Sequence, residues 1–282
     1  MSAVRHLLCF GLGYTARVLA ARLAADGWRV TGTSRDPEES DHRRFDRDHP
    51  LMRSAFAGVT HILVSVPPDE TSDPVLDRHG GDIAALPGLA WLGYLSTTGV
   101  YGDRAGGWVD ERSELRPSGV RGRRRVAAEE GWLDLWRRRA VPVHVLRLAG
   151  IYGPGRNPFA ALRAGTARRA AKSGQVFSRI HVEDLASVLL ASIARPRPGA
   201  IYNVCDDEPA APEAVTAYAA TLLELPAPPL VPFDEAGLSA MARSFYDDNK
   251  RVANGLIKTE LGVTLRYPNY RAGLAAILAE RE

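Results

Sequence analysis

The chain has 282 residues, 45% of them hydrophobic and 24% charged, and a formal net charge of +3. That is the balance of an ordinary soluble globular protein, long enough to bury a sizeable core in one or two domains. No apolar run approaches 18 residues, which argues against a membrane partner; no nucleic-acid motif or aromatic-interleaved basic stripe accompanies the many arginines, so no nucleic-acid partner is expected.

The first 150 residues alternate strand-like and helix-like segments. A short apolar strand over 4–10 ends at Gly11. Helical spacing of Val18, Leu19 and Leu23 covers 16–26 and stops at Gly27. Strands follow over 28–33 and 60–66, the second closed by Pro67 and Pro68. Two more, over 89–95 and 141–148, flank an Ala-, Glu- and Trp-rich helix over 126–139. Alternating strands and helices imply a parallel sheet covered on both faces. Short, right-handed crossovers make it a Rossmann-type, doubly wound α/β fold. Beyond 150, Gly and Pro punctuate a looser pattern: helices over 181–194, 212–224 and 270–282, and a strand over 200–204. The expected domains are a dinucleotide-binding Rossmann domain over 1–165, with a strand at 200–206 returning to it, and a smaller, irregular mixed α/β lobe over 166–282. Cys9 and Cys205 lie in apolar runs and read as small buried hydrophobes. Neither has a partner at metal-ligand spacing, so no metal site is expected. The N-terminal residues read as a strand rather than a signal region, so a cytoplasmic location is the expectation.

Gly11, Leu12, Gly13, Tyr14, Thr15 and Ala16 form Gly-x-Gly-x-x-Ala between a strand and a helix. The first glycine permits the tight turn, the second lets backbone approach a pyrophosphate, and the small third residue allows close helix–strand packing. The helix N-terminus then offers free N–H groups and a positive dipole end. At the end of the second strand stand Ser34 and Arg35, where a carboxylate would favour the 2′-hydroxyl of NAD. A hydroxyl and a guanidinium suit a 2′-phosphate instead, so NADP is preferred over NAD. Asp36, one position on, keeps NAD open. Val66, Pro67 and Pro68, following Ser65, would form a wall beneath the cofactor; prolines lack the N–H a donor loop needs.

Three further segments occur in a telling order: Ser96-Thr97-Thr98-Gly99-Val100-Tyr101-Gly102, then Arg147 with Gly150-Ile151-Tyr152-Gly153-Pro154-Gly155, then Arg179-Ile180-His181-Val182-Glu183-Asp184. Together with the glycine loop they resemble the extended short-chain dehydrogenase/reductases, the NAD-dependent epimerase/dehydratase family, over roughly residues 4 to 280. The resemblance implies that the smaller C-terminal lobe over 166–282 is a substrate lobe and that Thr97 hydrogen-bonds a substrate oxygen. It implies that Asp46 stands where relatives place an adenine-binding carboxylate; a solvated loop Asp among arginines is the alternative. It also implies a Tyr-x-x-x-Lys motif about 25 residues beyond Thr97. Here Pro117-Ser118 and Ala127-Ala128-Glu129 match the flanks, but the Tyr position holds Arg121 and the Lys position Arg125.

An arginine stays protonated and neither takes nor gives a proton at neutral pH. Arg125 can still donate to ribose hydroxyls. The Arg121–Arg125 cluster reads either as a solvated basic helix start or as an anion clamp for a phosphate or carboxylate. Tyr101 and Tyr152 are candidate replacements for the missing tyrosine, though the resemblance marks both as structural. His181 reads as a structural hydrogen-bonding residue and Asp184 as a helix-start carboxylate. The expectation is an atypical NAD(P)-binding, epimerase/dehydratase-like oxidoreductase acting on an anionic or nucleotide-linked small molecule, with Thr97, Arg121 and Arg125 at its reaction centre. The alternative is a non-catalytic NAD(P)-binding sensor or partner-binding protein. A homodimer is expected by analogy alone.

Overall fold

A computed structural model describes residues 5–36 and 42–280. Seven strands build the main sheet: β1 (His6–Phe10), β2 (Arg29–Ser34), β3 (His42–Arg44), β4 (His61–Val64), β5 (Trp91–Thr97), β6 (Val143–Leu148) and β7 (Ile201–Val204). Their order is β7-β6-β5-β4-β1-β2-β3. β1 pairs in parallel with β2 and β4, β4 with β5, and β2 with β3. Strands β1, β4 and β6 are buried throughout, as expected where both faces of a parallel sheet are covered.

Four helices matter most for the site: α1 (Tyr14–Ala25), α2 (Pro74–Ala84), α3 (Val120–Arg139) and α4 (Val182–Ala194). α1 buries Thr15, Ala16, Leu19 and Leu23, one stripe at helical spacing. It ends before Gly27, whose positive φ of 77° suits the turn into β2. α2 was not expected from the sequence. Its start is well marked: Asp73 accepts from the N–H groups of Val75 and Leu76 at 3.0 Å, and Pro74 follows. Its interior Gly80-Gly81 pair weakens the helical signal. α3 begins six residues before the expected 126, so Arg121, Arg123, Arg124 and Arg125 are helical. Val75 and Ile83 of α2, and Ala128, Trp132 and Leu133 of α3, pack with Leu8, Phe10, Ile62, Val64, Leu92 and Tyr94 of the sheet in one core. Val4 and the last two residues of the expected terminal helix lie outside the described residues.

Contacts group the chain into two compact units. The first comprises 1–97, 120–147 and 186–202; the second comprises 98–119, 148–185 and 203–282. The backbone therefore changes unit five times. The second unit has its own core, in which Tyr152, Phe159, Leu162, Val215, Ala219, Tyr270, Leu274 and Ile277 meet. It also carries short parallel strand pairs, Arg179–His181 with Gly150–Tyr152 among them. Among the described residues no helix is long and apolar enough to cross a membrane.

Candidate functional site

β1 delivers the chain to Gly11, where a φ of +85° and close neighbours both require glycine. A Cβ there would stand 2.7 Å from Ser65 Oγ. That hydroxyl donates to the carbonyl oxygens of Gly11 at 2.5 Å and Phe10 at 3.2 Å, tying the end of β4 to the loop. From the other side, Gly11 N–H donates to Thr33 Oγ1 at 2.9 Å and Leu12 N–H to the Thr33 carbonyl at 2.8 Å. Gly32 is small for a related reason, since a Cβ would meet Leu12 Cβ at 2.7 Å. Gly13 is different: its φ of −89° is ordinary, and a Cβ would meet nothing within 4 Å. It is exposed and heads α1, where a glycine brings no side chain of its own to cap the helix. Open space at the head of the helix fits a phosphate group, since backbone donors and the dipole both favour an anion there. Tyr14 is half-buried, while Thr15 and Ala16 are buried against the fold. Sequence reasoning missed the roles of Gly32 and Thr33, and placed Ser65 in the turn beneath the cofactor without its bonds to the glycine loop. Their only local signals were a glycine and a polar β-branched residue inside one strand and a serine ending another.

At the end of β2, Ser34 is half-buried and Arg35 and Asp36 are exposed. Ser34 Oγ accepts from Asp36 N–H at 3.3 Å. Asp46, just beyond β3, is held by its own loop. Its Oδ1 accepts from Asp48 N–H (2.9 Å), His49 N–H (3.0 Å) and the His49 ring (2.7 Å). The His49 hydrogen bond is the main reason its carboxyl is held down at about 2. Arg47 then clamps Asp69 through two nitrogens, at 2.7 and 3.0 Å, and Asp77 at 2.7 Å. This fixes the loop after β4, where Val66 and Pro68 are half-buried and Pro67 is exposed.

Thr97 ends β5 and is half-buried. The residue before it is locked: Ser96 Oγ donates to Glu129 Oε1 at 2.5 Å. Glu129 of α3 in turn pairs with Arg147 of β6 at 2.7 Å, with both side chains only 3% exposed. Arg125 reaches β5 from α3. Its Nη1 donates to Tyr94 Oη at 2.9 Å and to the Leu95 carbonyl at 2.7 Å. Tyr94 is fully buried, and burial pushes its hydroxyl well above the usual range. Arg121 lies one turn before Arg125 and is exposed.

The second unit holds the other family-like residues in structural roles. Tyr101 Oη donates to Asn203 Oδ1 at 2.7 Å, and both are buried. Tyr152 Oη donates to the Asn269 carbonyl at 3.4 Å. His181 packs between Tyr152 and Tyr267, and its Nδ1 accepts from Glu183 N–H at 3.2 Å. Burial pushes that imidazole down to about 4. Asp184 accepts from Arg266 and Tyr267 N–H groups, each at 2.8 Å. Among the described residues no cluster of His, Cys, Asp and Glu could hold a metal ion.

Residues 83–205 match the model of the NAD dependent epimerase/dehydratase family. Protein YeeZ of Escherichia coli (strain K12) is 28% identical, over 94% of this chain and 97% of its own. Among solved structures, a conserved protein of unknown function from Silicibacter pomeroyi DSS is 55% identical, with a TM-score of 0.92 over 98% of this chain and 99% of its own. The NAD complex of dTDP-glucose 4,6-dehydratase from Bacillus anthracis str. Ames is 16% identical, with a TM-score of 0.76 over 98% and 96% of the two chains. The last likeness is one of fold.

Proposed function

We infer, for a chain whose residues 83–205 match the NAD dependent epimerase/dehydratase family model, that it is a member of that family, binds NADP in preference to NAD and acts as an oxidoreductase or epimerase on an anionic or nucleotide-linked small molecule. What supports this reading is one arrangement: the open Gly13 position at the head of α1, and Thr97, both at the C-terminal ends of parallel-sheet strands within one unit. Ligands of open α/β sheets bind at that edge.

The bound nicotinamide would supply hydride transfer. The residues from Gly11 to Ala16 would hold the phosphates through backbone N–H groups. Ser34 and Arg35 would hold a 2′-phosphate, Asp46 would border the adenine, and Val66, Pro67 and Pro68 would wall the nicotinamide side. Thr97 would donate a hydrogen bond to a substrate oxygen. Arg121, exposed and permanently charged, would draw in an anionic group. Arg125 has committed one nitrogen to Tyr94 and Leu95 and would turn its remaining donors to the ribose. A homodimer completes this reading; light scattering showing a monomer at working concentration would remove that part alone.

One observation favours a second reading, a non-catalytic NAD(P)-binding sensor. Arg121 and Arg125 supply no proton donor or acceptor at neutral pH. Side-by-side fluorescence titrations with NADPH and NADH come first. Tighter NADPH binding that Arg35→Ala reduces supports the cofactor assignment. A screen of anionic and nucleotide-linked substrates then separates the readings: turnover lost in Thr97→Ala supports the enzyme, whereas cofactor binding without any turnover supports the sensor.

A further inference from the structure

We propose that Arg44 is the second arm of a 2′-phosphate clamp and the residue that makes this site discriminate NADP from NAD; the proposal rests on the dinucleotide reading above. β3 is a short strand added beside β2 in parallel, with Ser34 directly partnered by Arg44. Partners in a parallel pair send their side chains to the same face, on strands roughly 4.8 Å apart. Phe45 N–H donates to the Ser34 carbonyl at 2.9 Å, which carries the pairing to the end of both strands.

The register is not free to slip. Phe45 is buried edge-on against Phe10, with ring centroids 5.1 Å apart, and it also touches His79. A shift by one residue would turn Phe45 out of the core and Arg44 into it. Burial of Phe45 therefore sets Arg44 beside Ser34.

The arginine is also oriented. Its side chain is 54% exposed, and Nε donates to Asp46 Oδ2 at 3.3 Å. Asp46 is itself fixed through Oδ1 by two backbone N–H groups and the His49 ring. This contact takes Nε, and among the described residues no acceptor meets the two terminal nitrogens. Those two nitrogens are a fork suited to phosphate oxygens. A bare 2′-hydroxyl prefers a carboxylate acceptor, and position 34 has none. Arg35, the residue after Ser34 at the end of β2, and Arg44, its partner on β3, supply donors instead.

The test is a titration of wild-type, Arg44→Gln and Arg44→Lys proteins with NADPH and with NADH. Arg44→Gln should weaken NADPH binding roughly 10- to 100-fold, the loss of one charge-assisted contact, and leave NADH within about twofold. Arg44→Lys should fall between, since it keeps the charge and loses the fork. Unfolding temperature should not move, because the side chain is largely exposed. Unchanged NADPH affinity in Arg44→Gln overturns the proposal, and so does an equal loss for both cofactors. Wild-type protein that binds NADH as tightly as NADPH overturns this proposal together with the NADP preference, and leaves the dinucleotide reading standing. Wild-type protein that binds neither removes the dinucleotide reading along with it.

Discussion

Two glycines two positions apart answer to different demands. Gly11 is required by the fold, because its φ is positive and Ser65 Oγ occupies the place of a side chain. Gly13 is required by nothing within 4 Å. Gly11→Ala should therefore destabilise the protein by more than about 1 kcal/mol. Gly13→Ala should leave stability within roughly 0.5 kcal/mol, because the entropic gain of replacing glycine and the poorer helix cap oppose one another. The same substitution should weaken NADPH binding, since its methyl would occupy the space proposed for a phosphate. Urea unfolding and cofactor titration read the two effects separately. Equal behaviour of the two variants in both assays would sink the distinction. The motif was legible in the sequence because it needs only neighbours in the chain. The reason for Gly11 was not, since Ser65 lies 54 residues away.

At the level of elements, α3 is held to the sheet by more than apolar packing. Glu129 on the helix, Arg147 on β6 and Ser96 on β5 form one buried polar link beneath the strand that ends in Thr97. Trp132, on the next turn, donates from Nε1 to Asp73 Oδ2 at 3.1 Å, tying α3 to the start of α2. Removing one member of a buried ion pair leaves an uncompensated charge. Arg147→Met should cost roughly 3–5 kcal/mol, and adding Glu129→Leu should recover much of that loss. Chemical denaturation of the two single variants and the double variant measures the coupling. Additive losses would show that the pair does not act as a unit. The main strands of the sheet were predictable to within a few residues, apart from β3, because buried apolar runs mark them. The sequence hid α2 behind its paired glycines and shortened α3 by its arginine-rich first turns. A run of charged residues carries no apolar periodicity, although it is helical here.

For the molecule as a whole, buried titratable groups set a pH profile. Burial pushes His61, His144 and His181 down to about 4, from an ordinary value near 6.5. Unfolding between about pH 4 and 6.5 therefore takes up protons at these three sites, and stability falls as pH falls through that window. Asp206 acts in the opposite sense. Its burial raises the carboxyl to about 8, so its contribution is full below the unfolded value near 4 and lost as pH rises through 8. Below pH 6.5 the histidines outnumber it, and above 6.5 it acts without them. Stability should peak near pH 6.5, and Asp206→Asn should flatten the decline between 6.5 and 8. Thermal melts across pH 4 to 8.5 test this. A wild-type profile that keeps rising to pH 8, or an Asp206→Asn profile that still declines, would count against it.

Local pattern alone determined the alternating strands and helices, the glycine loop, and the identity of the residues at positions 34, 35, 97, 121 and 125. Each of these is written in residue type and spacing within a few turns or strands. Tertiary structure decided which of those residues remain available. It showed Arg125 bonded to β5, Asp46 held by its own loop, and Tyr101 and Tyr152 occupied in the second unit. It also set Arg44 beside Ser34, through the burial of Phe45. The physical reason is common to all of them. A hydrogen bond or a strand register depends on groups brought together from distant parts of the chain, and local spacing holds no record of that meeting.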